Sequence, residues 1–238
     1  MSRWEPLLAV QEHDTHVDQL VHRSQTLPVR AEIARHEDAV VDLDARLREV
    51  EARHGELTRS QQRLEHEITS LGDKANQAEK RLYSGAVSNP RELQALQDDV
   101  ASIRRRIGQV EDEELQVMEL LEPVEARRVE LLAERDRLDE EGARLRTTQA
   151  EAEAEIDAEL AVVRGERERA AGEVDADLWP EYDRLRARSG GVAIARLVGS
   201  TCHGCHLSLP AVEVDRIKRL PRDEVVHCEE CGRLLVRD

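Results

Sequence analysis

Phenylalanine is absent from this sequence, and aromatic residues as a whole make up 2% of its 238 positions. Charged side chains, by contrast, make up 36%. A chain with so few large apolar side chains cannot fill a globular core of ordinary size over most of its length. Its stability must therefore come mainly from seams between helices.

Long apolar segments are missing as well. No run approaches the roughly 18 apolar residues of a membrane-spanning helix, and the first residues, Met1 to Pro6, lack the apolar segment of a signal peptide. Cysteine is absent from the first 201 residues, so all four cysteines lie near the carboxyl end. We expect a cytoplasmic protein with no membrane anchor.

Apolar residues recur at alternating steps of three and four along two long arms. The first arm runs from Ile33 to Leu82, where 12 of 15 such positions are apolar, and the second runs from Leu93 to Leu145, where 12 of 16 are apolar. A repeat of 3.5 residues sustained in this way specifies a left-handed coiled coil, because it keeps one stripe facing a partner helix.

The break between the arms, from Leu82 to Glu92, indicates the tip of a hairpin near residues 83–90. Gly85 can adopt the left-handed conformation that ends a helix, Asn89 can cap the next helix, and Pro90 suits its first position. One continuous rod with an interruption is the alternative, and the paired stop and start signals favour the hairpin. The seam residues expected to meet across the hairpin include Leu57 with Val117 and Ile68 with Ile107.

Three further breaks organise the rest of the chain. Pro28 should kink or restart the helix at the beginning of the first arm. Trp179-Pro180 should start a short helix that ends near Arg188, and the following Ser189-Gly190-Gly191 marks a boundary. The predicted domains are an antiparallel coiled-coil hairpin over 1–190 and a separate tail over 191–238. Trp4 and Trp179 are both expected to pack at the base of the hairpin.

Charge is divided unequally between the two predicted domains. Residues 1–190 carry 28 basic and 44 acidic side chains, whereas residues 191–238 carry 7 of each, so the whole net charge of −16 belongs to the hairpin. An acidic hairpin repels nucleic acid. The cluster Arg104-Arg105-Arg106 is interpreted as a solvated helix face with glutamate partners.

The tail contains two C-x2-C pairs, Cys202-His203-Gly204-Cys205 and Cys228-Glu229-Glu230-Cys231, separated by 22 residues. Two residues between cysteines let one tight turn aim both sulfurs at a single ion, and two such turns complete a tetrahedral thiolate site. Gly204 and Gly232 are expected to supply backbone freedom at the turns. The spacing predicts one zinc ion per chain held by Cys202, Cys205, Cys228 and Cys231, with iron as the alternative.

Four thiolates leave no open coordination position, so the predicted zinc is structural and cannot activate a water molecule. Three histidines flank the ligands and are assigned no role: His203, His206 and His227. Around the ligands, three segments have the composition of strands: 192–198, 224–227 and 233–236. A short helix opens at Leu209-Pro210, with Val212, Ile217 and Leu220 expected to cover the sheet. The tail is thus predicted to be a zinc ribbon, a small β domain with one short helix.

These motifs resemble a known family, the bacterial coiled-coil hairpin proteins that end in a C4-type zinc ribbon. The resemblance rests on Leu82-Tyr83-Ser84-Gly85 and Asn89-Pro90-Arg91-Glu92-Leu93 at the tip, and on the two cysteine motifs with Leu209-Pro210 and Gly232-Arg233-Leu234-Leu235. It implies a mainly α fold, the four zinc ligands and no catalytic residue. Most members have no assigned function, and some relatives look like adaptors or chaperones that bind a flagellar sigma factor and messenger RNA.

The leading functional hypothesis is a non-enzymatic adaptor or chaperone-like protein that binds a protein partner, as a monomer or weak dimer. The runner-up is a nucleic-acid binder acting through the ribbon, with a role in gene regulation. Its candidate contact residues, which also serve for a protein partner, are Arg196, Arg216, Lys218, Arg219, Arg222 and Arg233. An enzyme ranks third, because the sequence offers no nucleophile with a base and no open metal position.

Overall fold

The computed structural model describes residues 3–237 and confirms a mainly helical fold with a small ribbon at the carboxyl end. The helices are α1 (Glu5–Gln25), α2 (Pro28–Tyr83), α3 (Pro90–Ala171), a 3-10 turn (Ala176–Leu178), α4 (Trp179–Arg188) and α5 (Ala211–Arg219). The strands are β1 (Ile194–Val198), β2 (Thr201–Cys202) and β3 (Leu234–Arg237). None of the helices within this described part combines the length and apolar character that a bilayer crossing requires.

The chain divides into two compact units. One consists of residues 32–144, the two arms of the hairpin, and the other combines the described residues up to Ala31 with those from Leu145 onward. The ribbon therefore belongs to the same compact unit as α1 and α4. The sequence-based division at residue 190 stays a prediction about which parts fold on their own.

Within the hairpin unit, the buried side chains lie on the predicted seam. Leu43, Leu131, Ala75 and Val100 are all buried, and each occupies a position of the predicted seams. The remaining buried apolar residues of these arms, Leu57 and Val110, are also predicted seam positions. The regular 3.5-residue pattern thus produces the packing that it predicts, because only one stripe of each arm is apolar enough to be buried.

Polar contacts also join the two arms. The Nε2 atom of His36 lies 2.7 Å from the carbonyl oxygen of Leu138, and Arg135 donates to Asp44 at 2.9 Å. His36 and Arg135 are polar residues at positions of the 3.5-residue repeat, and each contacts the opposite arm.

The tip has the predicted construction. Helix α2 ends at Tyr83 and α3 begins at Pro90, with Gly85 between them at a φ of 72°. The side-chain oxygen of Asn89 accepts a hydrogen bond from the backbone N–H of Arg91 at 3.0 Å, which satisfies one of the free donors at the start of α3. Pro28 likewise restarts the helix, as predicted, because α1 ends at Gln25 and α2 begins at Pro28 itself.

The second unit is built around a three-stranded sheet in the order β2-β1-β3. Strand β2 is antiparallel to β1, and β3 is parallel to β1 with Ile194 beside Leu234. Alternate residues of β1 and β3 point to opposite faces, so Ile194 and Ala195 belong to different apolar clusters. The sheet therefore carries one core on each face.

One face of the sheet packs against α1 and α4. This core contains Trp4, which is 3% exposed, and Tyr182, which is fully buried, and Trp179 packs against it with its ring edge-on to Tyr182 at 5.8 Å. Both tryptophans thus pack in the core, as predicted. The indole N–H of Trp4 also donates to the carbonyl oxygen of Arg222 at 3.1 Å, which ties α1 to the ribbon.

The opposite face is covered by α5, with a correction to the predicted residues. Val214 and Ile217 are buried there, whereas Val212, predicted to cover the sheet, is 83% exposed. Because the helix begins at Ala211, after Pro210, the positions that turn inward are Val214 and, three residues on, Ile217. Leu220 packs against the same cluster, as predicted.

The predicted strand over 224–227 is also wrong. This segment contributes only an isolated bridge between His227 and Leu234 and a hydrogen bond from the N–H of Leu235 to the carbonyl of Val226. The nearby turn of Cys228 shortens the pairing, because the chain bends towards the other cysteines after a single bridge. The strand that the sequence did not reveal is β2, only two residues long.

The hairpin topology can be tested by crosslinking. Cysteines introduced at Leu64 and Val110, which are opposite each other in the register, should form a disulfide within one chain when zinc occupies the four native cysteines. Non-reducing gel electrophoresis should show a monomer that migrates faster than the reduced chain. After proteolytic cleavage at the hairpin tip, the two arms should remain joined by the disulfide. Crosslinks formed only between chains would contradict the hairpin.

Candidate metal centre

Two turns of matching geometry carry the four cysteines. In the first turn, the N–H of His206 donates to the carbonyl of Cys202 at 2.7 Å, and in the second the N–H of Gly232 donates to the carbonyl of Cys228 at 2.7 Å. His206 and Gly232 are equivalent positions, and both have a positive φ, 62° and 71°. The left-handed residue directly after the second cysteine therefore closes each turn.

Gly204 is required for a different reason than predicted. Its φ is not in the left-handed region, but a Cβ at this position would lie 2.9 Å from the Cβ of Ala195 and 2.8 Å from the Cδ of Arg233. Gly204 thus allows close packing of the first turn on β1, whereas Gly232 supplies the predicted backbone freedom.

The four cysteine sulfurs converge on one point. Their Sγ atoms all lie within 4.8 Å of one another, and those of Cys205 and Cys228 are 3.9 Å apart. Zinc–sulfur bonds of about 2.3 Å in a tetrahedron place sulfurs about 3.8 Å apart. No disulfide joins these cysteines, so all four sulfurs are available as ligands, and the arrangement fits the predicted metal.

The surroundings of Cys202, Cys228 and Cys231 shift the pKa values of their thiols. Burial raises the pKa of Cys202 and raises that of Cys228 to about 12. Burial acts in the same direction on Cys231, but hydrogen bonds from the backbone and side chain of Arg233 help lower its pKa to about 7. Several thiolates so close together would repel one another, and a bound divalent cation removes that repulsion.

The flanking histidines lie outside the sulfur cluster. His203 and His206 are exposed, with ring centres 6.4 Å apart. The Nε2 atom of His227 lies 3.1 Å from a carboxylate oxygen of Glu181 in α4, so this ring contacts the helix that packs on the ribbon. That these histidines have no functional role stays a prediction.

Three of the six basic residues proposed as partner contacts bind other parts of this chain. Arg196 forms an ion pair with Glu5 of α1 at 2.8 Å. Arg233 donates to the carbonyl oxygens of Val192 at 2.9 Å and Ser189 at 2.7 Å. Arg216 pairs with Glu213 in its own helix, through its Nε at 2.7 Å. These contacts hold the ribbon together and anchor it to α1.

The other three basic candidates form a group at the end of α5. Lys218, Arg219 and Arg222 are exposed, and none of them forms an ion pair with another residue in the range 3–237. They lie within five positions of one another, at the carboxyl end of the helix and in the turn after it. The structure thus leaves one small basic group on the ribbon rather than a six-residue face.

A buried carboxylate beside the ribbon was not predicted. Asp14 of α1 accepts hydrogen bonds from the hydroxyl of Tyr182 at 2.7 Å and from the Nε of Arg167 at 2.7 Å, and Arg186 lies 3.4 Å away. Burial acts to raise the pKa of Asp14, but hydrogen bonds from Arg167 and Tyr182 outweigh it, so the pKa is lowered. The ionised carboxylate of Asp14 therefore connects α1 to α3 and α4.

A second polar contact joins α1 to the segment just before β1. The amide of Gln11 donates to the carbonyl of Gly191 at 2.8 Å, and its oxygen accepts from the N–H of Ala193 at 2.6 Å. Both Gln11 and Asp14 are buried. The sequence signal was available, because Asp14 interrupts the apolar spacing of Val10 and Val17 on the buried side of α1.

A helical hairpin followed by a four-cysteine ribbon defines the class of protein. The sequence matches the CT398-like coiled coil hairpin domain over residues 10–190 and the C4-type zinc ribbon domain over residues 201–235. The chain therefore belongs to the CT398-like coiled coil hairpin family, which confirms the resemblance seen in the sequence.

Relatives and solved structures cover almost the entire chain. Two uncharacterized proteins of Mycobacterium tuberculosis, MT2288 and Rv2229c, are each 30% identical over 97% of this chain and 94% of their own length. A structure from Mycobacterium smegmatis has a TM-score of 0.88 at 25% identity, with complete coverage of both chains. CT398 from Chlamydia trachomatis has the same fold, with a TM-score of 0.70 at 20% identity over 99% of this chain and 98% of its own.

Proposed function

We propose that this protein is a non-enzymatic adaptor of the cytoplasm, a monomer or weak dimer that binds a protein partner and keeps its ribbon folded with one structural zinc ion. The observation that carries this proposal is the closed metal centre, in which four cysteine sulfurs converge within 4.8 Å. A zinc ion with four thiolate ligands stabilises a fold but offers no position for a substrate or a reactive water.

The packing of the ribbon supports the same proposal. Arg196 and Arg233, which a nucleic-acid interface would need at its surface, contact α1 and the segment before β1. The ribbon shares its core with α1 and α4, so it is held rigidly against the helices beside it. A rigid surface suits protein recognition, because little conformational entropy is lost when a partner binds.

The adaptor proposal can be tested by affinity capture from a nuclease-treated extract of the source cell. We expect a protein to be retained in near-stoichiometric amount by the full chain with zinc. Lys218→Glu combined with Arg219→Glu and Arg222→Glu should leave this capture largely unchanged, since the proposal does not rely on the basic group. A protein that is retained from an untreated extract but not from the nuclease-treated extract would contradict the adaptor proposal.

Nucleic-acid binding is the second candidate, favoured by Lys218, Arg219 and Arg222, which are exposed and form no ion pair within residues 3–237. Fluorescence anisotropy with a 20-nucleotide single-stranded RNA distinguishes the two functions. If the protein is an adaptor, the dissociation constant of the full chain should be no tighter than about 10⁻⁴ M at physiological salt, the weak end of non-specific binding. Tight, steeply salt-dependent RNA binding that the triple substitution abolishes would favour the nucleic-acid binder over the adaptor.

A further inference from the structure

The hairpin tip exposes an aromatic ring. Trp4, Trp179 and Tyr182 pack together in the core beside the ribbon, whereas Tyr83, the remaining aromatic residue, is 82% exposed at the end of α2. Tyrosine is among the residues that contribute most to binding when a partner covers them, because a rigid ring buries a large area at low entropic cost. This tyrosine is part of the tip motif Leu82-Tyr83-Ser84-Gly85.

The charge of the tip is opposite to that of the protein. Residues 74–106 carry seven basic and four acidic side chains, a net charge of +3 in a chain of −16. Within the described range 3–237, five of these cations have no ion-pair partner. They are Lys74, Lys80, Arg81, Arg91 and Arg105. Arg104 and Arg106, by contrast, pair with Glu79 and Glu67, as predicted for a solvated face.

A groove lies between the two arms, lined by residues of 74–81 and 96–103. It has a volume of about 370 Å³, and its lining includes the apolar side chains of Ala78, Leu96 and Ile103, the basic side chains of Lys74 and Arg81, and the carboxylate of Asp99. The groove lies within the last turns of α2 before Tyr83. It therefore combines an apolar part that can take one aliphatic side chain with cations on the same helix as the exposed ring.

We propose that the hairpin tip binds an acidic segment of the partner protein, with an aliphatic side chain in the groove and carboxylates beside the free cations. This inference rests on the proposed adaptor function and names the chemistry of the partner. Carboxylates complement Lys80 and Arg81, and Tyr83 covers the bound backbone. The cations also steer an acidic segment to the tip and away from the rest of the hairpin, which is acidic.

Two other occupants fit less well. The tip of a second copy would place the same unpaired cations against one another, which costs free energy. A long nucleic acid would extend beyond the tip to other parts of the protein, whose net charge is −19 outside residues 74–106. A short acidic segment avoids that repulsion, and its aliphatic side chain uses the groove.

Fluorescence anisotropy on the full chain with zinc tests the proposal. The probe is a labelled 12-residue peptide in which glutamate alternates with leucine, and the comparison probes are the same peptide with lysine for glutamate and a 20-nucleotide poly-uridine. We expect the acidic peptide to bind at least about ten times more tightly than either comparison probe. Tyr83→Ala should weaken it about fivefold, and Lys80→Glu with Arg81→Glu at least about tenfold.

The matched control is Arg48→Glu with Arg63→Glu, which makes the same charge change at exposed positions of α2 away from the tip, where neither arginine forms an ion pair with any residue that the structure describes. This control should change the affinity less than about twofold, and circular dichroism should show that every variant is folded. Equal losses in the control and tip variants, or tighter binding of poly-uridine, would overturn the proposal. The proposal would also be overturned if the tip substitutions abolished self-association, measured by analytical ultracentrifugation, but left peptide binding intact.

The same variants separate this inference from the adaptor proposal. If the chain captures a protein from a nuclease-treated extract and the tip substitutions leave that capture intact, the tip proposal fails and the adaptor proposal stands. If no protein is captured by the unsubstituted chain, the adaptor proposal itself fails.

Discussion

Removal of zinc is expected to unfold the ribbon while leaving the arms of the hairpin helical. Cys202 and Cys228 are themselves members of the core that α5 covers, so loss of the metal removes the crosslink at the centre of that core. Structural zinc sites contribute on the order of 10 kcal/mol to the folding of small domains. Cys228→Ser should have the same effect as chelation.

Hydrogen exchange measured by mass spectrometry can check this result by segment. The amides of β1, β3 and α5 should lose protection after chelation, whereas those of α2 and α3 within residues 32–144 should keep it, because that unit has its own seam. Only α5, nine residues long, lies between the cysteine pairs, so the far-ultraviolet helical signal should fall by less than about a tenth. Unchanged protection in the ribbon would contradict a structural metal.

Asp14→Ala is expected to destabilise the unit that contains the ribbon by about 3 kcal/mol, because it leaves Arg167, Arg186 and the buried hydroxyl of Tyr182 without their common partner. Urea unfolding followed by tryptophan fluorescence should report this loss selectively, since both tryptophans belong to that unit. Asp18→Ala is the matched control. Asp18 is an exposed carboxylate of the same helix that pairs with Arg186, and its loss should cost less than about 1 kcal/mol.

The contribution of Asp14 should also depend on pH. Its pKa in the folded protein is lowered, so its stabilising effect is fully present above the unfolded value of about 3.9 and is lost as the pH falls through the folded value. Asp14→Asn should therefore remove part of the acid sensitivity of tryptophan fluorescence below about pH 4. An identical acid transition in the substituted protein would show that Asp14 is not a stabilising ion.

The hairpin was predictable because its determinants are local and repeated. Each seam position, such as Leu43 or Leu131, is specified by neighbours three and four residues away, and the tip follows from the single conformational preferences of Gly85, Asn89 and Pro90. The four cysteines were predictable for the same reason, since C-x2-C spacing determines the geometry of each turn.

Contacts between distant segments were not predictable in this way. Asp14 meets Arg167 and Tyr182 across more than 150 positions of the chain, and no local pattern indicates that pairing. The basic residues of the ribbon illustrate the same limit, because whether Arg196 is free depends on Glu5 at the other end of the sequence. Strand β2 is too short, at two residues, for a period-two pattern to form.

Zinc-edge X-ray absorption on the purified protein, combined with its metal content, tests the structural metal centre most directly. The four converging sulfurs of Cys202, Cys205, Cys228 and Cys231 predict one zinc per chain with four sulfur ligands at about 2.3 Å. A first shell that contains nitrogen or oxygen, or half a zinc per chain shared between copies, would contradict a closed site and with it the non-enzymatic adaptor.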